Sequence, residues 1–161
     1  MIVIALGANL PSKFGAPRET LQAALQRLPQ QGIRVLRFSP FYASDAWPDP
    51  RDPPFVNAVA VVETELSPVE IMAVLHAVEA EFGRLRSAKN APRTLDLDLI
   101  DYDGLIQAGP PVLPHPRMQN RAFVLIPLRD VAPGWGHPVS HKTVETLIAE
   151  LPDTGGIRPR E

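Results

Sequence analysis

The sequence predicts an α+β domain, and three observations carry that reading. Apolar runs with strand character alternate with amphipathic helical stretches. The 161 residues suit one compact domain over residues 1–161 and leave little room for a second. The balance of 45% apolar to 21% charged residues is that of a chain able to bury a core.

Residues 2–6 (Ile-Val-Ile-Ala-Leu) are a short apolar run ending at Gly7, the pattern of a buried strand. From Arg18 to Leu28, Leu21, Ala24, Leu25 and Leu28 recur at helical spacing. Ile33 to Tyr42 is β-rich with imperfect alternation and is expected to be one strand, followed by a proline loop over residues 43–54. Phe55 to Leu66 holds Val56, Val59, Val61 and Val62 without a helix breaker, as a long strand does. Ser67-Pro68-Val69-Glu70 is a helix start, with Ser as N-cap, Pro at the first helical position and Glu as the third helical residue. That helix continues through Ile71, Leu75, Val78 and Phe82 to stop at Gly83. Leu95 to Tyr102 reads as a strand, residues near 121–131 as a short helical segment and Val144 to Leu151 as a last helix. The order β-α-β-β-α-β is ferredoxin-like: a two-layer α/β sandwich on an antiparallel sheet, with C-terminal helical additions. Residues 153–161 are expected to fray.

Composition removes several function classes. A net charge of −2 argues against binding nucleic acid through bulk positive charge. With no cysteine there is no disulfide scaffold, zinc ribbon or thiol chemistry. The N-terminus lacks a basic leader region, and no apolar stretch is long enough to cross a bilayer, so a cytoplasmic address without membrane contact is expected. Nineteen prolines are many for this length, and they cluster around residues 48–54 and 110–116. Such clusters suggest stiff, long loops of the kind that carry binding sites. No phosphate-binding G-x-x-x-x-G-K-[ST] loop, dinucleotide fingerprint or nucleophile elbow is present, and His76 and His141 lack partners at metal-ligand spacing.

The chemistry concentrates in Lys89 to Asp98, K-N-A-P-R-T-L-D-L-D. On a strand Asp96 and Asp98 share one face while Leu95, Leu97 and Leu99 take the other. Alone, such a pair is most often the solvated face of a half-buried strand. Upstream, however, stand Arg84, Arg86, Lys89 and Arg93. Basic residues near 84–86 suit a helix end, but Arg93 lies well past it. Carboxylates for a hard cation beside guanidinium groups for phosphate oxygens are what a metal–polyphosphate site requires. His115, between Pro114 and Pro116, is either a surface histidine or a rigidly placed donor to phosphate. Phe55 and Phe123 are either core filling or two faces for a flat heterocycle, with Asn57 at its edge.

In order along the chain stand L-G-A-N-L at Leu6–Leu10, F-x-N at Phe55–Asn57, E-x-x-x-G-R-x-R at Glu79–Arg86, A-P-R-T-L-D-L-D-L-I at Ala91–Ile100, P-H-P at Pro114–Pro116 and R-A-F-V-L-x-P-L at Arg121–Leu128. With these the chain resembles the 6-hydroxymethyl-7,8-dihydropterin pyrophosphokinase family over nearly its whole length. The resemblance implies a ferredoxin-like enzyme of folate synthesis that moves diphosphate from ATP to a pterin. Asp96 and Asp98 would hold two Mg²⁺ ions on the ATP phosphates, and Arg84 and Arg93 would join them in catalysis. Arg84, Arg86, Arg93, His115 and Arg121 would bind the triphosphate, with Glu79 near the nucleotide and the Leu99 backbone at the adenine. The pterin would stack between Phe55 and Phe123, with Gly7, Asn57, Asp96 and the Ser44, Asp45, Ala46 and Trp47 loop around it. A monomer acting on small molecules is implied. The competing reading is a ferredoxin-like binding module without catalysis. The complete set of Asp96, Asp98, Arg84, Arg93, His115 and Arg121 argues for the enzyme.

Overall fold

A computed structural model describes residues 1–46, 49–83 and 93–160. Strand β1 (Ile2–Ala8) is buried along its whole length because it lies in the middle of the sheet. It pairs antiparallel with β4 (Phe55–Glu63) on one side and with β5 (Asp96–Tyr102) on the other. The far edge of β4 is shared by β2 (Arg34–Phe38) and β3 (Tyr42–Ser44). The strand expected over residues 33–42 is therefore split. Pro40 has no N–H to give a ladder, and at the break Ser39 bonds Val59 twice: its N–H donates to the Val59 carbonyl at 2.8 Å and its hydroxyl accepts from the Val59 N–H at 3.0 Å.

Helices α1 (Pro17–Arg27) and α2 (Pro68–Glu81) cover one face of the sheet, as the β-α-β-β-α-β order requires. The expected start of α2 is present in full. The Ser67 hydroxyl accepts from Glu70 N–H at 3.2 Å, and the Glu70 carboxylate accepts from Ser67 N–H at 3.0 Å. Between helices and sheet, Leu21, Leu25, Ile71, Leu75 and Phe82 meet Ile4, Leu6, Leu97 and Leu99 in one apolar cluster. The other face carries the C-terminal additions, α3 (Ala122–Val131) and α4 (Val144–Ala149), over a second cluster that includes Val3, Ala5, Val59, Val61, Ile100 and Leu125. Among the described residues no helix is long and apolar enough to cross a membrane.

A register shift between β1 and β5 at Val3/Ile4 changes the parity of β5. Leu97 and Leu99 face α1 and α2, whereas Ile100 packs under α3. Asp101 follows Ile100 to that side: its buried carboxylate accepts from Trp135 Nε1–H at 2.8 Å and from Gly104 N–H at 3.0 Å. This bond ties the second layer of helices to the edge strand.

The C-terminal segment corrects the sequence reading. Residues expected to fray form β6 (Arg158–Pro159), which pairs with the outer edge of β3, Tyr42 facing Pro159 and Ala43 facing Arg158. Arg160 N–H also reaches the Phe41 carbonyl at 2.8 Å, and Asp45 N–H the Gly155 carbonyl at 3.0 Å. The outer edge of β3 has backbone groups that need partners, and the chain's own tail supplies them.

Trp135→Phe keeps an aromatic filler but leaves a buried carboxylate oxygen of Asp101 without its donor. The expected cost is about 1–3 kcal/mol of unfolding free energy, read as a lower urea midpoint.

Candidate active site

The sheet face beneath α3 is closely packed at one end and open at the other. Along β4, Val59 and Val61 belong to the core, while Asn57 and Phe55, on the same face, line a cavity of about 430 Å³. Along β1, Val3 and Ala5 give way to Gly7; along β5, Ile100 gives way to Asp98 and Asp96. The register aligns these positions across the strands. Gly7 pairs with Asn57 on one side and Asp96 on the other, and Ala5 pairs with Val59 and Asp98. One row of the sheet thus reads Asp96, Gly7, Asn57. Its outer members are two strand spacings apart, roughly 10 Å. A Cβ on Gly7 would come within 3.4 Å of Asn57 Oδ1 and 3.8 Å of Phe55 Cδ1, so glycine keeps the cavity floor low between them.

Asp96 and Asp98 sit at the charged end, with side chains 26% and 32% exposed. Arg93 Nη1 lies 3.3 Å from Asp96 Oδ2, and Arg121 Nη1 lies 3.8 Å from Asp98 Oδ2. Arg121 also stands over the Phe123 ring, 5.4 Å from its centroid. Arg93 is fixed through its backbone: its N–H donates to Asn9 Oδ1 at 2.8 Å, and its carbonyl accepts from Asn9 N–H at 3.1 Å and Leu10 N–H at 3.2 Å. Asn9 Nδ2 bonds the Pro53 carbonyl at 3.1 Å, joining the end of β1, the first proline loop and Arg93 at one side chain.

Glu79, on α2, is buried and accepts from the N–H of Leu97, the residue between the two aspartates, at 2.8 Å. It does not line the cavity; it is joined to the strand that presents the carboxylates. Leu99 likewise points its side chain into the helix-side core. At the other end, Asn57 is buried and donates from Nδ2 to Ser44 Oγ at 2.8 Å, and Ser44, Asp45, Phe55 and Phe123 all line the cavity. Ala46, next along the chain, is buried.

His115 is held by its N–H on the Ile100 carbonyl at 2.9 Å, and its Nδ1 accepts from Arg117 N–H at 3.2 Å. Burial, reinforced by Arg121 and Arg117 and opposed by Asp96, pushes its pKa down to about 4. At neutral pH the ring is therefore uncharged, and with Nδ1 accepting, its proton is on Nε2. His115 is a neutral donor beside a cluster of cations.

The expected Trp47, Arg84 and Arg86 lie outside the described residues, as do Lys89 and Asn90. Of the other expected site residues, Gly7, Ser44, Asp45, Phe55, Asn57, Arg93, Asp96, Asp98, Arg121 and Phe123 line one cavity. Ala46, Glu79, Leu99 and His115 are not in its wall. Arg117, Asn120 and the Asp153–Gly155 segment line it without having been singled out by the sequence. Arg117 and Asn120 were within reach, since they flank the P-H-P and R-A-F-V-L motifs. The C-terminal segment carried no local signal.

A model of the 7,8-dihydro-6-hydroxymethylpterin-pyrophosphokinase family matches residues 3–133. The chain belongs to that family. Its relatives include the 2-amino-4-hydroxy-6-hydroxymethyldihydropteridine pyrophosphokinase of Synechocystis, 42% identical over 92% of this chain and 75% of that protein. The enzyme of the same name from Pseudomonas aeruginosa is 41% identical over 92% of this chain and 90% of its own. The chain is also similar to a crystal structure of Plasmodium falciparum HPPK-DHPS with pterin and p-hydroxybenzoate, with a TM-score of 0.73 at 13% identity. It spans 43% of that structure's chain and 92% of its own, a likeness of fold. Both bacterial relatives are matched over most of their own lengths as well as of this chain.

The His115 environment has a consequence for stability. Between its folded pKa of about 4 and the ordinary value of 6.5, the unfolded chain takes up a proton that the folded chain does not. His115 therefore costs nothing above pH 6.5 and weakens the fold as pH falls from 6.5 towards 4. Metal-free His115→Gln should lose stability less steeply over that interval than the parent, as measured by urea midpoints at stepped pH.

Proposed function

We propose that this chain transfers the terminal diphosphate of ATP to the hydroxymethyl oxygen of 6-hydroxymethyl-7,8-dihydropterin, releasing AMP, with Mg²⁺ held at Asp96 and Asp98. The observation that supports this best is the row Asp96, Gly7, Asn57, which puts a carboxylate pair and a heterocycle-sized recess on one floor. The hydroxymethyl oxygen forms a bond to the β-phosphorus, the bond from that phosphorus to the oxygen shared with the α-phosphate breaks, and the hydroxyl proton is released.

The residues suit the metal. Asp96 and Asp98 are adjacent hard oxygen donors on one face, both reachable from the cavity. No cluster of three or more His, Cys, Asp or Glu suited to a metal occurs among the described residues. The two carboxylates therefore match a metal that shares its remaining positions with phosphate and water. Bound there, Mg²⁺ would neutralise phosphate oxygens and make the β-phosphorus more electrophilic.

The chain's own groups divide the remaining work. Arg93 and Arg121 are paired with the carboxylates at 3.3 and 3.8 Å, and with a metal held by the carboxylates the guanidinium groups would exchange those partners for phosphate oxygens. His115 supplies a donor without adding a charge. The faces of Phe55 and Phe123 suit a flat ring, with Asn57 fixed by Ser44 at its edge. Burial of the heterocycle between them excludes water from the attacking oxygen's side, so that transfer is favoured over hydrolysis of the diphosphate.

The test is to incubate the protein with ATP, Mg²⁺ and 6-hydroxymethyl-7,8-dihydropterin and to separate the nucleotides. AMP dependent on both pterin and metal is the expected result; ADP would mean monophosphate transfer and overturn the reading. Asp98→Ala should lower kcat by about 10²–10³-fold or more. Because Asp98 is half-exposed, that variant's Tm should stay within roughly 2–4 °C of the parent. Parent-like turnover would remove the carboxylate from the metal site.

A further inference from the structure

The tail of the chain reaches the cavity from outside the stretch that the family model matches, which ends at residue 133. Asp153, Thr154 and Gly155 line the cavity on the side of Ser44 and Asp45. The segment is fastened there at several points. Strand β6 pairs with β3, the strand that runs into the rim. The Gly155 carbonyl takes the Asp45 N–H at 3.0 Å, so that rim donor is bonded to the tail and not offered to a ligand. Arg158 Nη1 bonds the Gly156 carbonyl at 2.6 Å and lies 3.3 Å from Asp45 Oδ1. Under the Asp45 carboxylate lies Gly156, with φ +69°, where a Cβ would come within 2.3 Å of Asp45 Oδ2.

We propose that residues 153–160 are a strap that forms the outer wall of the heterocycle end and sets pterin affinity by holding the Ser44–Asp45 rim, with Gly156 and Arg158 as positioning residues acting through Asp45. The inference rests on the reading of the cavity as a pterin site. The Arg158–Asp45 pair is half-exposed and contributes little energy of its own. Its effect is geometric: together with the Asp45–Gly155 bond and the close seat on Gly156, it leaves the rim one position. A site that must accept one planar heterocycle needs its edge groups placed to within a fraction of an ångström. The contacts that fasten the strap are made to β3 and Asp45, while Arg93, Asp96, Asp98 and Arg121 gather at the carboxylate end of the cavity. The two substrates should therefore respond differently when the strap is displaced.

Two full-length variants test this. Gly156→Ala drives a methyl into Asp45, and Arg158→Glu sets two carboxylates face to face. In each, KM for the pterin at saturating ATP and Mg²⁺ should rise about tenfold, equal to about 1.4 kcal/mol. KM for ATP and kcat should stay within about twofold, a change too small to signal a lost contact. Direct titration of the dihydropterin by its fluorescence should give the same shift. Asp45→Ala alone should raise the pterin KM by a comparable factor, with little further rise when Arg158→Glu is added, because both act through one contact, whereas Gly104→Ala, at φ +74° with nothing within 4 Å of its Cβ, serves as the strain-matched control. Unchanged pterin KM in both variants overturns the proposal, and so does equal weakening of both substrates, which would mark a general structural role. If the parent protein itself makes no AMP with the pterin, it is the functional reading that fails.

Discussion

The pleat of β5 is the constraint on which the rest of the site depends. A strand that seats leucines in the helix-side core must, by alternation, send the intervening residues to the opposite face. With Leu97 and Leu99 committed to the core, Asp96 and Asp98 have no choice of direction. Pairing with β1 then sets them level with Gly7 and Ala5, and β4 places Asn57 and Phe55 in register beyond. The carboxylate pair and the recess at Asn57 and Phe55 are related through backbone hydrogen bonds, which hold distances better than side-chain contacts do.

Around that floor, charge is arranged in opposed pairs. Arg93 meets Asp96 and Arg121 meets Asp98, so the cavity carries both signs side by side. The positioning groups lie one layer back: Asn9 holds the Arg93 backbone, Glu79 holds the amide between the two aspartates, and Ser44 holds Asn57. His115, outside the cavity wall, stays neutral beside these cations. A charged ring there would have to overcome both burial and two nearby guanidinium groups.

Much of this was legible in the sequence. The alternation of Leu95–Ile100 predicted the facing of both aspartates, the Ser67–Glu70 signal predicted the start of α2, and the order of elements predicted the sheet. What could not be read were effects of distant partners. The division of the strand expected over 33–42 depends on Ser39 bonding Val59, twenty residues on. The hold of the Glu79 carboxylate on the Leu97 N–H, eighteen residues on, has no local signal either. Nothing in Asp153-Thr154-Gly155-Gly156 announces a strand partner; the open edge of β3 creates that role. Arg117 and Asn120 stand beside legible motifs, but a single exposed residue there has no periodicity to betray its facing.

The register shift in β5 carries a consequence for how such a chain can vary. Before the shift, regular alternation sends Asp96, Asp98 and Ile100 to the α3 face; after it, Asp101 stays on that face and meets Trp135. The extra residue lets the second half choose its facing independently of the first. Substitutions that retune the ligand end need not be compensated in the latch that holds the helices, and repacking of that latch need not disturb the carboxylates. The edge strand is in effect two modules in series, free to diverge at different rates within one continuous run of seven residues.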